Sequence, residues 1–234
     1  MQQNMRNSNS NLDIGCEDLE ISKVFNKKGF LLIENYIKNG LILKTIQYDE
    51  ETGLKRYEKV YSNGGNKNQE KEYFFDKEGR MRYEGKFKNC SKNGIGIHYS
   101  KSGQILYKGE FKDGKYDGIG KLMDPDPVFN DESGSGTFTQ IIYEGQFLVG
   151  KRHGEGKSYS NGSLYYYGQF KNDMFNGFGI TFFANGKKSY EGFFKNNRRE
   201  GEGKEYDEEN GEIIYDGNFK NMRYEGLGIQ YKKT

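Results

Sequence analysis

The stretch Tyr143-Glu144-Gly145-Gln146-Phe147-Leu148-Val149-Gly150-Lys151-Arg152-His153-Gly154-Glu155-Gly156 decides the fold, because its skeleton recurs along the chain. The opening Tyr-x-Gly-x-Phe starts at Tyr83, Tyr107, Tyr143, Tyr166, Tyr190 and Tyr215, with successive spacings of 24, 36, 23, 24 and 25 residues. Eleven and thirteen residues after each start stand two glycines: Gly94/Gly96, Gly118/Gly120, Gly154/Gly156, Gly177/Gly179, Gly201/Gly203 and Gly226/Gly228. Sixteen residues on stands a large apolar residue: Tyr99, Met123, Tyr159, Phe182, Tyr206 and Tyr231. Four residues before most starts comes another glycine: Gly79, Gly103, Gly162, Gly186 and Gly211. Independent offsets that agree over six copies define a repeat architecture.

Two worn copies lie upstream. One starts at Ile33 after Gly29, the other at Tyr57 after Gly53, and both lack the paired glycines. The chain therefore divides into a polar tail over 1–28 (with a short helix expected around Asp18 to Val24), degenerate repeats over 29–82, and clear repeats over 83–234. The 36-residue spacing marks an insertion at 124–142, which holds both prolines and reads as an exposed loop. The pattern Tyr-Glu-Gly-x-Phe-x-x-Gly-x-x-x-Gly-x-Gly resembles the MORN repeat, well over 83–231 and poorly over 29–82. That resemblance implies non-enzymatic assembly or tethering modules of cytoskeletal, ciliary and cell-cortex structures.

Side chains alternate between the faces of a strand. The Tyr, Gly and Phe at the first, third and fifth positions therefore share one face, and rings can lie on bare glycine backbone. Each unit reads as strand, loop of about five residues, strand. Asn161-Gly162, Asn185-Gly186 and Asn210-Gly211 supply type I′ turn chemistry between units. The expected fold is all-β: an elongated single-layer antiparallel sheet of stacked hairpins, a ribbon of about 75 Å at ~4.8 Å per strand.

Composition agrees and excludes alternatives. Gly is 33 of 234 residues, aromatics make up 15%, Pro is only 2 and Trp is absent, which speaks against a helical bundle and against collagen. Lys+Arg at 36 against Asp+Glu at 34 gives a net charge of +2, too balanced for wrapping nucleic acid by net field. No run of about 18 apolar residues occurs, and the first ten residues are polar without an apolar signal core. A cytoplasmic protein, with Cys16 and Cys90 as two reduced thiols, is the expectation.

Chemistry-bearing motifs are scarce. His98 and His153 fall in different repeats, and the dispersed Cys and His residues have no zinc-ligand spacing. The sequence Gly154-Glu155-Gly156-Lys157-Ser158 imitates the end of a phosphate-binding loop, but Lys151 stands where its first glycine is required. No catalytic, metal or cofactor residues are expected, and the chain is read as a non-enzyme without cofactor. Instead, Tyr99, Tyr159, Phe182, Tyr206 and Tyr231 are candidate protein-interaction residues. Lys151, Arg152, Lys195, Arg198, Arg199 and Arg223 are candidates for a basic stripe along the hairpin loops. The function read from this is a scaffold or adaptor for other proteins of a multi-subunit assembly, in a cytoskeletal or axonemal setting such as a radial spoke. The open C-terminal strand edge suits a homodimer. The alternative is a peripheral adaptor that binds anionic phospholipid through its basic loops.

Overall fold

The computed structural model describes residues 19–61, 71–89, 91–125 and 140–232. These carry seventeen strands and no helix. The strands are β1 (Leu19–Phe25), β2 (Leu31–Lys38), β3 (Leu41–Tyr48), β4 (Lys55–Val60), β5 (Lys71–Phe75), β6 (Met81–Lys88), β7 (Ser91–Tyr99), β8 (Ile105–Lys112), β9 (Lys115–Met123), β10 (Ile141–Leu148), β11 (Lys151–Ser160), β12 (Ser163–Lys171), β13 (Met174–Phe182), β14 (Lys188–Lys195), β15 (Arg198–Tyr206), β16 (Ile213–Lys220) and β17 (Arg223–Gln230). The expected all-β fold of stacked antiparallel hairpins is what forms. The chain divides into two compact units, Met1–Glu70 and Lys71–Thr234.

In the first unit, β1 pairs with β2, β2 with β3 and β3 with β4, all antiparallel. The expected polar tail therefore ends earlier than residue 28, and the expected helix near Asp18 to Val24 is instead strand β1. Leu19, Phe25 and the β-branched Ile21 and Val24 alternate with or flank the polar Glu20, Ser22 and Lys23, and the segment gains a ladder from β2 running from Leu19↔Lys38 to Val24↔Ile33. The worn copy at Ile33 keeps its second strand without the paired glycines. At the register position of a Gly–Gly pair stand Asn35 and Thr45, and the Thr45 hydroxyl donates to Asn35 Oδ1 at 2.8 Å. Glu34 is buried and accepts from Tyr48 (2.9 Å), Tyr36 (3.2 Å) and Lys23 (3.1 Å). Burial opposes its charge, yet these donors prevail and hold the carboxyl below the usual range.

In the second unit each strand pairs with the next, from β5 to β17. One row of residues across the ladder is glycine in every strand from β6 to β17: Gly85, Gly96, Gly109, Gly120, Gly145, Gly156, Gly168, Gly179, Gly192, Gly203, Gly217 and Gly228 are successive partners. The insertion does not interrupt it, since Gly120 still meets Gly145. The rest of that insertion, residues 126–139, lies outside the described residues, as do Cys16 and Cys90.

The core is this glycine row and the rings lying on it. Tyr83, Tyr107, Tyr143, Tyr166 and Tyr190 are wholly buried, and Tyr215 nearly so. A Cβ on Gly120 would stand 2.2 Å from the Tyr107 hydroxyl oxygen and 2.4 Å from its Cζ. The glycines at offsets two and thirteen therefore make room for the ring. The glycine at offset eleven has another task. Gly118, for example, sits at φ +100° in a bulge where β9 carries extra residues between Gly109↔Gly120 and Phe111↔Tyr116. Each tyrosine hydroxyl donates to the carbonyl three residues on, at 2.8–3.1 Å, for example Tyr143 to Gln146 and Tyr83 to Lys86.

The turns also differ from expectation. Within repeats the connection is a two-residue turn rather than a loop of about five, with positive φ at both residues: Asp113-Gly114, Val149-Gly150, Asn172-Asp173, Asn196-Asn197 and Asn221-Met222. Between repeats, Asn161-Gly162 has that type I′ geometry, but at Asn185-Gly186 and Asn210-Gly211 only the glycine has positive φ. There the Gly186 and Gly211 N–H groups donate back to the Phe183 and Asp207 carbonyls. Local turn dipeptides do not distinguish the loop lengths, which the bulged register on each side imposes.

Candidate interaction surfaces

The second unit has three distinct zones: the ring face, the opposite face, and the margin formed by the intra-repeat turns. On the ring face each tyrosine is closed by a residue nine positions on. The closing residue alternates between cation and ring along the array. Lys92 Nζ lies 5.0 Å from the Tyr83 centroid, Arg152 Cζ lies 5.7 Å from that of Tyr143, and Arg199 Cζ lies 4.6 Å from that of Tyr190. Tyr116, Phe175 and Tyr224 instead stack in parallel on Tyr107, Tyr166 and Tyr215 at 3.7–3.8 Å. The Phe of the same repeat and that of the following repeat abut each tyrosine from Tyr83 to Tyr190 edge-on, as Phe147 and Phe170 do at 5.0 Å from Tyr143. Successive hairpins are thereby zipped together.

This assigns part of the basic stripe. Arg152 and Arg199 cover rings and also bond acids: Arg152 Nε lies 3.3 Å from Asp173 Oδ1, and Arg199 Nη1 lies 2.7 Å from Glu205 Oε1. Lys151, Lys195, Arg198 and Arg223 are exposed at the turn margin. So are Lys112, Lys115, Lys171 and Lys220. The margin pairs like charges across its strands, Lys112↔Lys115, Lys195↔Arg198 and Lys220↔Arg223. Among the described residues none of these eight cations makes an ion pair. Arg198 donates to Asn221 Oδ1.

The opposite face treats its cations differently. Lys121 and Lys157 flank Glu144 at 3.1 and 3.6 Å, Lys188 meets Glu191 at 2.7 Å, and Lys204 meets Asp216 at 3.2 Å. Three of the five aromatic interaction candidates have their hydroxyls engaged here: Tyr99 donates to Glu84 (3.3 Å), Tyr159 to Glu144 (2.8 Å) and Tyr206 to Glu191 (3.0 Å). Glu144 and Glu191 are held below the usual carboxylate range first by those side-chain donors, Tyr159 for the one and Lys188 for the other. Phe182 is half-buried, and Tyr231 is exposed, its N–H donating to the Ile214 carbonyl.

Four of the six repeats place an exposed apolar residue of this face twelve after the start, Ile95 (73% exposed), Ile119, Phe178 and Leu227 (87% exposed), while Glu155 and Glu202 stand at that offset in the other two. Phe178 lies opposite Phe193 on the neighbouring strand, edge-on at 5.7 Å. Phe193 breaks the repeat. Its equivalents include Glu110, whose Oε1 accepts the Ile119 N–H at 3.0 Å, and Gln146, whose Oε1 accepts the Glu155 N–H at 3.2 Å. Sequence reading missed this residue; comparing the copies at offset three would have found it.

A cleft of about 610 Å³ opens beside Phe193, and a second of about 540 Å³ adjoins the first. The larger lies between the β12–β13 and β14–β15 turns, and both share Lys171 and Asn176. Of the two histidines, His98 is half-buried with Nδ1 2.9 Å from the Tyr116 hydroxyl, and burial, aided by Lys92 and Arg82, pushes it down to about 4. His153 lines the smaller cleft. Among the described residues no group of three or more His, Cys, Asp or Glu side chains is placed to hold a metal.

These features define a repeat array whose chemistry is that of surfaces. A family model of the MORN repeat matches residues 107–126, 143–164, 166–188 and 190–211, and these four segments are similar to MORN repeats. The MORN repeat is a non-catalytic module, commonly one that interacts with proteins or membranes. No curated protein matches the chain.

Proposed function

We propose that this chain is a non-enzymatic scaffold that holds other proteins within a larger assembly. The observation that carries this reading is the set of exposed apolar residues at offset twelve in four of the six repeats, Ile95, Ile119, Phe178 and Leu227. These side chains stand on strands fixed by the buried glycine–tyrosine spine, and rigid presentation of apolar and aromatic groups is what interfaces use. The cytoskeletal or ciliary setting is part of the proposal and rests on resemblance to MORN-repeat proteins. Cross-linking mass spectrometry on the native source tests the role. The expected result is stable protein neighbours linked to lysines of the second unit, and a chain with no reproducible neighbour overturns it. The eight turn-margin cations that make no ion pair among the described residues favour a second reading, attachment to anionic lipid. Vesicle sedimentation at physiological salt decides it, since loss of binding at that ionic strength removes this reading.

A further inference from the structure

We infer that the turn margin of β10–β15 binds an extended acidic peptide segment of a partner protein, with one large apolar residue of that segment seated against Phe193. The inference rests on the scaffold reading and names its partner's chemistry. Three independent features converge. First, among the described residues Lys151, Lys171, Lys195 and Arg198 stand along this margin without ion pairs, while Lys121, Lys157, Lys188 and Lys204 of the opposite face have carboxylate partners. Lys195 and Arg198 oppose each other across a strand pair, which costs stability, while Lys151 and Lys171 stand opposite Leu148 and Met174. Second, the two clefts meet at Lys171 and Asn176 and together span three consecutive hairpins. Third, Phe193 stands 48% exposed at the mouth of the larger cleft, where other repeats place a polar group that bonds the bulge.

The geometry favours a peptide over a membrane. The cations form a line, one hairpin every ~10 Å, which an extended chain follows at about three residues per hairpin. The larger cleft has an apolar wall of Met174 and Phe193 between Lys171 and Lys195, fitting a side chain flanked by carboxylates. Three acids lie along the margin: Glu155 at the far end, Asp173 in the β12–β13 turn beside Arg152, and Glu200, whose Oε2 already accepts the Asn221 N–H at 3.0 Å. A uniform anionic lipid surface meets all three with like charge, whereas a peptide can set uncharged residues against them.

The probe is a fluorescein-labelled peptide of about ten residues, glutamates around one central phenylalanine, the length that spans three hairpins. Fluorescence anisotropy with the full chain should show binding that weakens as salt rises. Replacing the central phenylalanine by serine, or the glutamates by lysines, should lower or abolish it. Phe193→Gln restores the polar group that this offset carries elsewhere, so the variant should unfold at or above the wild-type temperature yet bind the peptide at least about fivefold more weakly. Lys171→Glu with Lys195→Glu should lower affinity about tenfold or more, whereas Lys121→Gln on the opposite face should not. No binding of the phenylalanine peptide, unchanged affinity in Phe193→Gln, or binding of phosphatidylserine vesicles in place of the peptide would each overturn the inference. A chain that ignores the peptide but keeps cross-linked protein neighbours leaves the scaffold reading standing.

Discussion

Gly120 shows how little latitude one position of this fold has. A Cβ there would overlap the Tyr107 ring on a backbone already paired on both sides, so neither partner can withdraw. Gly120→Ala should cost more than about 3 kcal/mol, comparable with removing a core aromatic, and should appear as a lowered urea midpoint. Val149 carries the opposite sign. It is a β-branched residue at φ +52° in a two-residue turn whose counterparts are Asp or Asn. The left-handed region costs such a residue roughly 1–2 kcal/mol, and Asn tolerates it better. Val149→Asn should therefore stabilise the protein by about 1 kcal/mol, read as a higher Tm; no change would mean that the turn is already relaxed. The ring-supporting glycines were legible in the sequence. Their division of labour was not, because offsets eleven and thirteen look alike until the bulge places one in the turn of the backbone and the other under a ring.

At the scale of the hairpin, the residue that closes each ring alternates between cation and aromatic over six repeats. Arg199→Tyr should retain most of the wild-type stability, since Tyr116 and Tyr224 perform the same task. Arg199→Ala should lose on the order of 1–3 kcal/mol by uncovering Tyr190 and leaving Glu205 without its cation. Equal loss in both variants would show that the ion pair, not the ring cover, matters. A second element-scale consequence concerns acid. His98 titrates near 4 in the fold against an ordinary 6.5. Below about 6.5 the unfolded chain binds the extra proton first, so stability is intact above that pH and falls as pH drops from about 6.5 to 4. The loss is on the order of 1–3 kcal/mol, and His98→Asn should flatten that segment of a stability–pH profile. The alternation at offset nine was readable in the sequence. Charge at a loop end draws attention to solvent, however, and only the fold shows Arg152 and Arg199 bent over rings.

At the scale of the whole molecule, the spine makes the second unit sensitive to base. Burial pushes Tyr83, Tyr143 and Tyr190 up to about 12, and Tyr107 and Tyr166 further. The unfolded chain releases those protons near 10, so stability is complete below pH 10 and is lost as pH rises through the folded values. Unfolding followed by circular dichroism should begin above pH 10 and coincide with tyrosinate absorbance. Tyrosinate appearing well before unfolding would contradict a tightly covered spine.

The repeat, its hairpins, the all-β class and the rings on glycine were set by the sequence alone, because each depends on spacing along the chain and on the two-residue period of a strand. Strand β1 was not, since its polar residues hide a ladder that exists only when β2 lies beside it. Nor were the alternating closure of the rings, the contrast between paired and unpaired lysines, and the cleft beside Phe193. Those depend on register between strands and on bulges that rotate side chains from one face or margin to another. Such placements are decided where neighbouring hairpins meet, by contacts that no single strand contains.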